Sequence, residues 1–233
     1  MPLAHSPALV GSIVASCWDG GMEFREVVRR RRMVRAYDAD RSLDRAQIDR
    51  LLNLALKAPS AGFAQGWHFL VLDEDGAREG FWSVTTDDRR APDGWLRGMR
   101  TAPVLILVFS ERAAYERRYA GAAKRGASHA PSDLDERWTV PYWHLDAAMA
   151  AMLALLAAVD EGLGAAWFGV PPAAVPALRA EFSVPPTLWP VGVLAVGYPA
   201  SGGVRPTSVD ARRPRAEVVS YGRYGSSAPP DPS

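Results

Sequence analysis

Arg29-Arg30-Arg31-Arg32-Met33-Val34-Arg35-Ala36-Tyr37-Asp38, and further along Ala58-Pro59-Ser60-Ala61-Gly62-Phe63-Ala64-Gln65-Gly66-Trp67-His68-Phe69, are the two stretches around which the rest of the chain arranges itself. A guanidinium is a planar fork of donors that matches phosphate oxygens. Arg31, Arg32 and Arg35, at a helix end, present such forks in more than one direction. The second stretch has a different chemistry. Pro59 stops a helix, and Ser60, Ala61 and Gly62 carry so little side chain that the backbone can lie flat against a planar ligand. Gln65 offers both a donor and an acceptor to the edge of a heterocycle. Taken singly, the first stretch also reads as a solvated basic face and the second as an ordinary helix stop. In this order they point to a planar ligand that carries a phosphate.

Working outward, Met22 to Arg32 reads as a helix with Phe24, Val27 and Val28 on one face. Ser42-Leu43-Asp44 caps a second helix, Arg45 to Lys57, whose stripe is Ile48, Leu51, Leu52, Ala55 and Leu56. His68 to Leu72 reads as a strand ended by Asp73-Glu74-Asp75-Gly76, and residues 83 to 100 as irregular. Pro103 to Phe109 is the strongest strand, apolar on both faces and therefore central. Glu111 to Asp135 is polar, contains Tyr115 and Tyr119, and reads as a helix leading into a mobile loop. Asp146 to Asp160 is apolar almost all round, so it must be buried in the core or in a subunit interface. Gly162-Leu163-Gly164 ends it. Ala165 to Val170 and Trp189 to Tyr198 read as strands around a helix at Pro172 to Phe182, and the remainder as an extended arm. Alternating helices and strands make this an α/β or α+β layered domain.

Bulk properties narrow the function. At 233 residues and 48% hydrophobic, the chain supports one domain with a substantial core. A net charge of +1 favours neither nucleic acid nor an acidic membrane as partner. Cys17 is the one cysteine, which excludes an internal disulfide and a multi-cysteine zinc site. His5, His68, His129 and His144 show no metal-ligand spacing. No apolar run reads as long enough to span a bilayer, and no Lys or Arg precedes the apolar Ala8 to Cys17, as a secretory signal requires. We therefore expect a cytoplasmic protein, with residues 1–21 a disordered extension, 22–226 the folded domain and 227–233 a tail. Gly162-Leu163-Gly164 follows a helix rather than a strand, so it fails the context test for a dinucleotide-binding domain.

Arg31 to Tyr37 followed by Ala58 to Phe69 resembles the nitroreductase family of flavoproteins. That family's pattern is Arg-Arg-Ser-x-Arg-x-Tyr/Phe, then Ala-Pro-Ser-x-x-Asn-x-Gln-Pro-Trp-x-Phe. Gly162-Leu163-Gly164 through Gly169, Leu194 to Pro199, Arg212-Arg213-Pro214 and Glu217-Val218-Val219 are similar to its later segments, in the same order. The resemblance implies a three-layer α+β fold with a central mixed sheet flanked by helices. It further implies a domain-swapped C-terminal arm and a homodimer with FMN at the interface. By motif, Arg31, Arg32 and Arg35 hold the phosphate and ribityl end, joined by Arg212. Met33 stands where the family has Ser and leaves a backbone N–H for the same region. Pro59, Ser60, Ala61 and Gly62 border the isoalloxazine of the partner's flavin, with Gln65 nearby, while Trp167, Phe168 and Gly169 lie near its N5 edge.

The activity implied is hydride transfer from NAD(P)H through flavin to an electron-poor small molecule such as a nitroaromatic or quinone. Dehalogenation, enoate reduction, flavin breakdown and flavin storage stay open as alternatives on the same scaffold. No catalytic side chain is required of the protein, because the cofactor carries the chemistry. Phe63 stands in place of Asn and Gly66 in place of Pro, which makes the site wall more apolar and the turn looser. Trp95, Trp138, Tyr142 and Trp143 are candidate pocket walls or core residues. His144 reads as either a proton donor or a satisfied structural histidine.

Overall fold

Two-sided apolarity in one strand sets the layering of the whole molecule. The computed structural model describes residues 21–87, 91–123, 138–201 and 212–226. In chain order the elements are α1 (Phe24–Arg30), α2 (Arg45–Ala55), β1 (Trp67–Leu72), α3 (Asp75–Thr85), α4 (Gly94–Met99) and β2 (Val104–Glu111). There follow α5 (Arg112–Ala123), α6 (Tyr142–Asp160), β3 (Gly164–Phe168), α7 (Val175–Glu181), β4 (Leu188–Gly197) and α8 (Arg215–Val218). The strands lie in the order β1-β2-β4-β3, so β2 is interior, as its sequence demands. Val104, Ile106 and Val108 face one core with Ile48 and Leu51 of α2 and Leu155 of α6. Leu105, Leu107 and Phe109 face a second core with Phe81 and Trp82 of α3, Met99 of α4 and Leu178 of α7. The result is helix, sheet, helix: the three-layer α+β domain expected.

The sheet itself refines the expectation. Every adjacent pair of its four strands is antiparallel. The segments from β1 to β2 and from β3 to β4 re-enter the sheet at the end where the previous strand left it, which makes an antiparallel neighbour. Among the described residues the parallel component is one bridge, Met33 to Ala165, on the outer side of β3.

Residues 83 to 100 are not irregular: they hold the end of α3 and all of α4. Gly76, Gly80, Val84 and Thr85 are weak helix formers and mask the pattern. Ala77, Phe81 and Val84 nevertheless recur at helical spacing and pack on the sheet. Asp93 caps α4 by accepting from Leu96 N at 2.8 Å. The C-terminal segment likewise holds a short helix, α8, where an extended arm was expected.

α6 starts at Tyr142, earlier than the apolar run suggests, and with that extra turn it is long and apolar enough to cross a membrane. More than half of it is buried inside the fold, against α2 and the sheet, as in a core helix. The expected extension and tail, apart from Gly21, lie outside the described residues, as do the loop at 124–137 and the arm segment at 202–211.

Candidate functional site

The arginine end begins at the last turn of α1. Glu23 caps that helix by accepting from Arg25 N at 2.8 Å. Glu26 then pairs with Arg29 at 2.6 Å and Arg30 at 2.5 Å. Those two guanidinium groups hold its carboxyl down to about 2. Arg32 Nη1 donates to the carbonyls of Arg29 and Arg31 at 2.7 and 2.9 Å, satisfying the end of the helix. Arg31 is left. Its Nη1 is buried and has no hydrogen-bond partner among the described residues. An unmet donor of this kind costs on the order of 1–3 kcal/mol, and an anion bound beside it removes that cost.

The chain beyond Arg31 is fixed by its backbone. Val34 N–H donates to Ala165 O at 3.0 Å. By the alternation of an extended segment, Met33 N–H therefore turns the other way, outward from β3. Tyr37 is buried, its hydroxyl donating toward Val34 O and Ala195 O at 2.8 and 3.0 Å. Burial pushes that phenol's pKa up. Gly98 packs so closely on Arg35 O that a side chain there has no room. Arg35 itself is exposed.

Along β3, Ala165 turns its carbonyl outward to Val34, so Trp167 also turns its backbone groups to that free edge. The Trp167 ring covers Gly192. The Phe168 ring turns inward. It stacks on Trp82 at 5.7 Å and meets Trp95 edge-on at 5.5 Å, inside the second core. Gly169 follows, exposed, with nothing near its Cα on the side-chain side.

The turn end is built from side chains instead. Pro59 and Ser60 lead into a single 3-10 turn at Ala61–Phe63. Gly62, Phe63 and Gln65 have φ of 60°, 58° and 50°. The two that are not glycine each pay about 1–2 kcal/mol for this left-handed backbone. Gln65 N–H donates to Ser60 Oγ at 3.0 Å, and Glu111 N–H to Gly66 O at 2.7 Å. Arg118 Nε donates to Gly62 O. Ala61 N–H donates to Asp146 Oδ2 at 2.8 Å, and Tyr115 OH donates to the same oxygen at 2.7 Å. Asp146 is 1% exposed. Burial first, and then the bond to Asp146, push the Tyr115 hydroxyl's pKa up. Phe63 projects outward at 73% exposure.

Gly66 now has a physical reason. A Cβ there meets Tyr115 Cε2 at 2.5 Å and Glu111 O at 2.8 Å, so the proline of the family pattern does not fit. Tyr119 similarly closes over Gly62, its hydroxyl 2.8 Å from where a Cβ would sit. Trp138 and Trp143 pack with Tyr115 and Tyr119 beneath the turn. Trp95 belongs to the Phe168 cluster instead. His144 is a satisfied histidine: Trp143 Nε1 donates to its Nε2 at 3.1 Å, which leaves Nδ1 to donate to Ser110 Oγ at 2.7 Å. Burial lowers its pKa.

The expected residues thus fall into separate groups within one protomer. Met33 lies level with Ala165, Val196 and Val104, while Trp67, where the turn enters β1, lies level with Ser110 and Trp189. Those levels differ by the rise from Val104 to Ser110, about 20 Å, and four strand spacings separate the two segments across the sheet. Met33 and Trp67 are therefore roughly 28 Å apart, so the segment with Arg31, Arg32 and Arg35 and the one with Pro59, Ser60, Ala61, Gly62 and Gln65 join the sheet at diagonal corners. Trp167, Phe168 and Gly169 close the far end of β3. Arg212 is exposed at the start of the last described segment, after residues that lie outside the described ones.

Two groups were not legible as site residues, Asp146 and the face of α5 that carries Tyr115 and Tyr119. The signal for the first was an acid near the start of a helix that is otherwise apolar up to Asp160 at its end. Among the described residues no cluster of His, Cys, Asp and Glu fits a metal. On the open face of α6, Leu145, Met149 and Met152 form a stripe at helical spacing and are 44%, 41% and 49% exposed.

The family model described as the nitroreductase family matches residues 28–198. A Methanothermobacter thermautotrophicus protein, provisionally named an NADH dehydrogenase/NAD(P)H nitroreductase, is 31% identical over 77% of this chain and 78% of its own length. An Archaeoglobus fulgidus protein with the same provisional name is 26% identical over 76% of this chain and 86% of its own length. Among solved structures, a protein from Exiguobacterium sibiricum, provisionally described as a nitroreductase and solved in complex with FMN, superposes with a TM-score of 0.65. It is 21% identical and covers 87% of this chain and 99% of its own, a likeness of fold.

Proposed function

The chain belongs to the nitroreductase family, and from that premise we propose that it is an FMN-dependent oxidoreductase, passing a hydride from NAD(P)H by way of flavin N5 to an electron-poor acceptor such as a nitroaromatic or a quinone. One observation carries the reading. The outer edge of β3 is paired at one end with the segment that carries the unmet Arg31 donor and the Met33 N–H, and ends in Trp167 and Gly169 about 13 Å further along. That span suits an extended mononucleotide, with its phosphate at the arginines and its ring edge beside Trp167 and Gly169. The FMN in the Exiguobacterium sibiricum structure supports the choice of flavin, and the archaeal relatives' names support the nicotinamide donor.

When bound, the flavin supplies the hydride chemistry. The chain's own residues bind and orient. Arg31 and Arg35 meet phosphate charge with fixed donors, and Arg212 joins them from the C-terminal segment. Arg32 holds the helix end that presents Arg31. Pro59, Ser60, Ala61 and Gly62 cover one ring face and exclude water, and Gln65 reaches the ring edge. His144 has both ring nitrogens engaged, so protons for the acceptor come from solvent.

The diagonal placement of the two segments supports a homodimer in which each site takes its arginines from one protomer and its turn from the other. The apolar stripe on α6 supports the same assembly, since a lone protomer would leave it in water. Dependence on a nicotinamide donor favours a cytoplasmic location. The balanced charge supports neither nucleic acid nor a membrane as partner.

A visible absorption spectrum, taken before and after anaerobic addition of NADPH or NADH, tests the reading. The expected result is flavin bands that bleach with one nicotinamide and return when a quinone or nitroaromatic is added. Bands that persist with both nicotinamides contradict it.

A further inference from the structure

The turn from Ser60 to Gln65 is strained, and something must hold it. Two of its residues, Phe63 and Gln65, adopt left-handed backbone without being glycine, and the position where proline would stiffen it is Gly66. Strain of this kind persists only where the surroundings over-determine the backbone. The surroundings here converge on one atom. Asp146 Oδ2 accepts from Ala61 N–H in the middle of the turn and from Tyr115 OH, whose ring fills the space opened by Gly66.

Asp146 costs the fold something. It is the one charged residue on the buried face of α6 and is 1% exposed, and its partners among the described residues are two neutral donors. Burying a carboxylate without a cation is unfavourable. A leucine would pack α6 more cheaply, but it would orphan the Ala61 amide and the Tyr115 hydroxyl.

We propose that Asp146 and Tyr115 are positioning residues, a buried clasp that holds the turn Ser60–Gln65 in its ring-facing shape and so sets how tightly and in what orientation the isoalloxazine is held. The proposal rests on the reading that this turn borders the flavin. The clasp takes over the stiffening that proline gives the family pattern, and it ties the turn to α5 and α6 at once. A change in either helix therefore reaches the cofactor through Ala61.

Two readouts test it on the purified holoprotein: backbone hydrogen exchange over residues 58–66, and the rate at which FMN fluorescence appears on dilution. Asp146→Ala is expected to speed both about tenfold or more, and to shift the bound flavin's visible bands toward those of free FMN. Tyr115→Phe is expected to speed both about threefold. Asp146→Asn is expected to rescue, because one carbonyl oxygen accepts both bonds. Ile106→Val, a core variant, is expected to lower Tm without moving either readout. If Asp146→Ala lowers Tm but leaves exchange and FMN release at wild-type values, the proposal is overturned. Should Asp146→Ala fail to fold, unchanged exchange in Tyr115→Phe overturns it equally. If the wild-type protein carries no FMN, the flavin reading fails, while the exchange measurement still decides whether the clasp holds the turn.

Discussion

The two ends of the site are held by opposite means. Arg31 to Tyr37 is fixed mainly through its backbone, by the bridge to Ala165 and the pairing of Tyr37 with Pro199, which leaves the guanidinium groups of Arg31 and Arg35 without a structural bond to make among the described residues. The turn from Pro59 to Gly66 is fixed by side chains from other elements, Asp146, Tyr115, Tyr119 and Arg118, and in the proposed site its own backbone would be the surface that meets the ring. On the proposed reading the difference follows from what each would recognise. A phosphate needs long, charged donors on a rigid base. A flat ring needs close backbone approach, and a backbone that presents itself to a ligand must be braced from behind.

Removing the arginine end should have the largest effect. Arg31→Ala with Arg35→Ala takes away charge-assisted bonds worth about 1.5–3 kcal/mol each, so FMN affinity is expected to fall roughly 10²- to 10⁴-fold in a fluorescence titration. Retention of full flavin content would remove the phosphate from that end.

The next effect falls on the surface that would bring one protomer's arginines to the other's turn. Met149→Asp with Met152→Asp replaces an apolar stripe worth on the order of 1.5–3 kcal/mol per side chain. Light scattering at micromolar concentration is expected to show a monomer, and the flavin should leave with the partner. A dimer that survives both charges places the interface elsewhere.

At the turn end, restoring the family's residue is expected to harm rather than help. Gly66→Pro drives a ring into Tyr115 and Glu111 O, an overpacking cost of about 1–3 kcal/mol. Thermal unfolding should move down by a few degrees. A gain in Tm would show that Tyr115 yields easily and that the turn is not braced as described.

The smallest effect is one of pH. Burial depresses the pKa of His144 below its ordinary 6.5, so the unfolded chain takes up the proton first. Stability is therefore fully present above about pH 6.5 and declines as the pH falls below it. Protonation also removes the acceptor that Trp143 Nε1 uses, loosening the aromatic floor under the turn. His144→Gln should flatten the acid side of a Tm-against-pH curve. An unchanged curve would show that His144 titrates alike in both states.

Much of this was legible in the chain itself, and the failures have physical causes. Val104 to Phe109 announced an interior strand because both of its faces are apolar, and α2 was visible in its stripe and in the Asp44 cap. α3 was missed because two glycines and a β-branched end dilute the helical signal that Phe81 and Trp82 carry. Both segments of the candidate site stood out by their residue types. The resemblance implied that they serve different flavins of a dimer, but where they sit in the sheet could not be read, because motif order says nothing of strand order, and only the β1-β2-β4-β3 arrangement sends them to diagonal corners. Asp146 was hidden for another reason: a carboxylate in a helix is ordinarily solvated, and only the fold turns this one inward beneath Ala61.

Subunit complementation shows whether each flavin site combines one protomer's arginines with the other's turn. A protomer carrying Arg31→Ala and Arg35→Ala is co-expressed with one carrying Gly62→Leu, which collides with Tyr119. The heterodimer is then purified through two different tags and its FMN content measured. One FMN per dimer is expected, because the intact arginines of one chain meet the intact turn of the other, while either homodimer binds none. A heterodimer as empty as both homodimers would mean that the two segments serve one site within a single protomer, and would contradict the account.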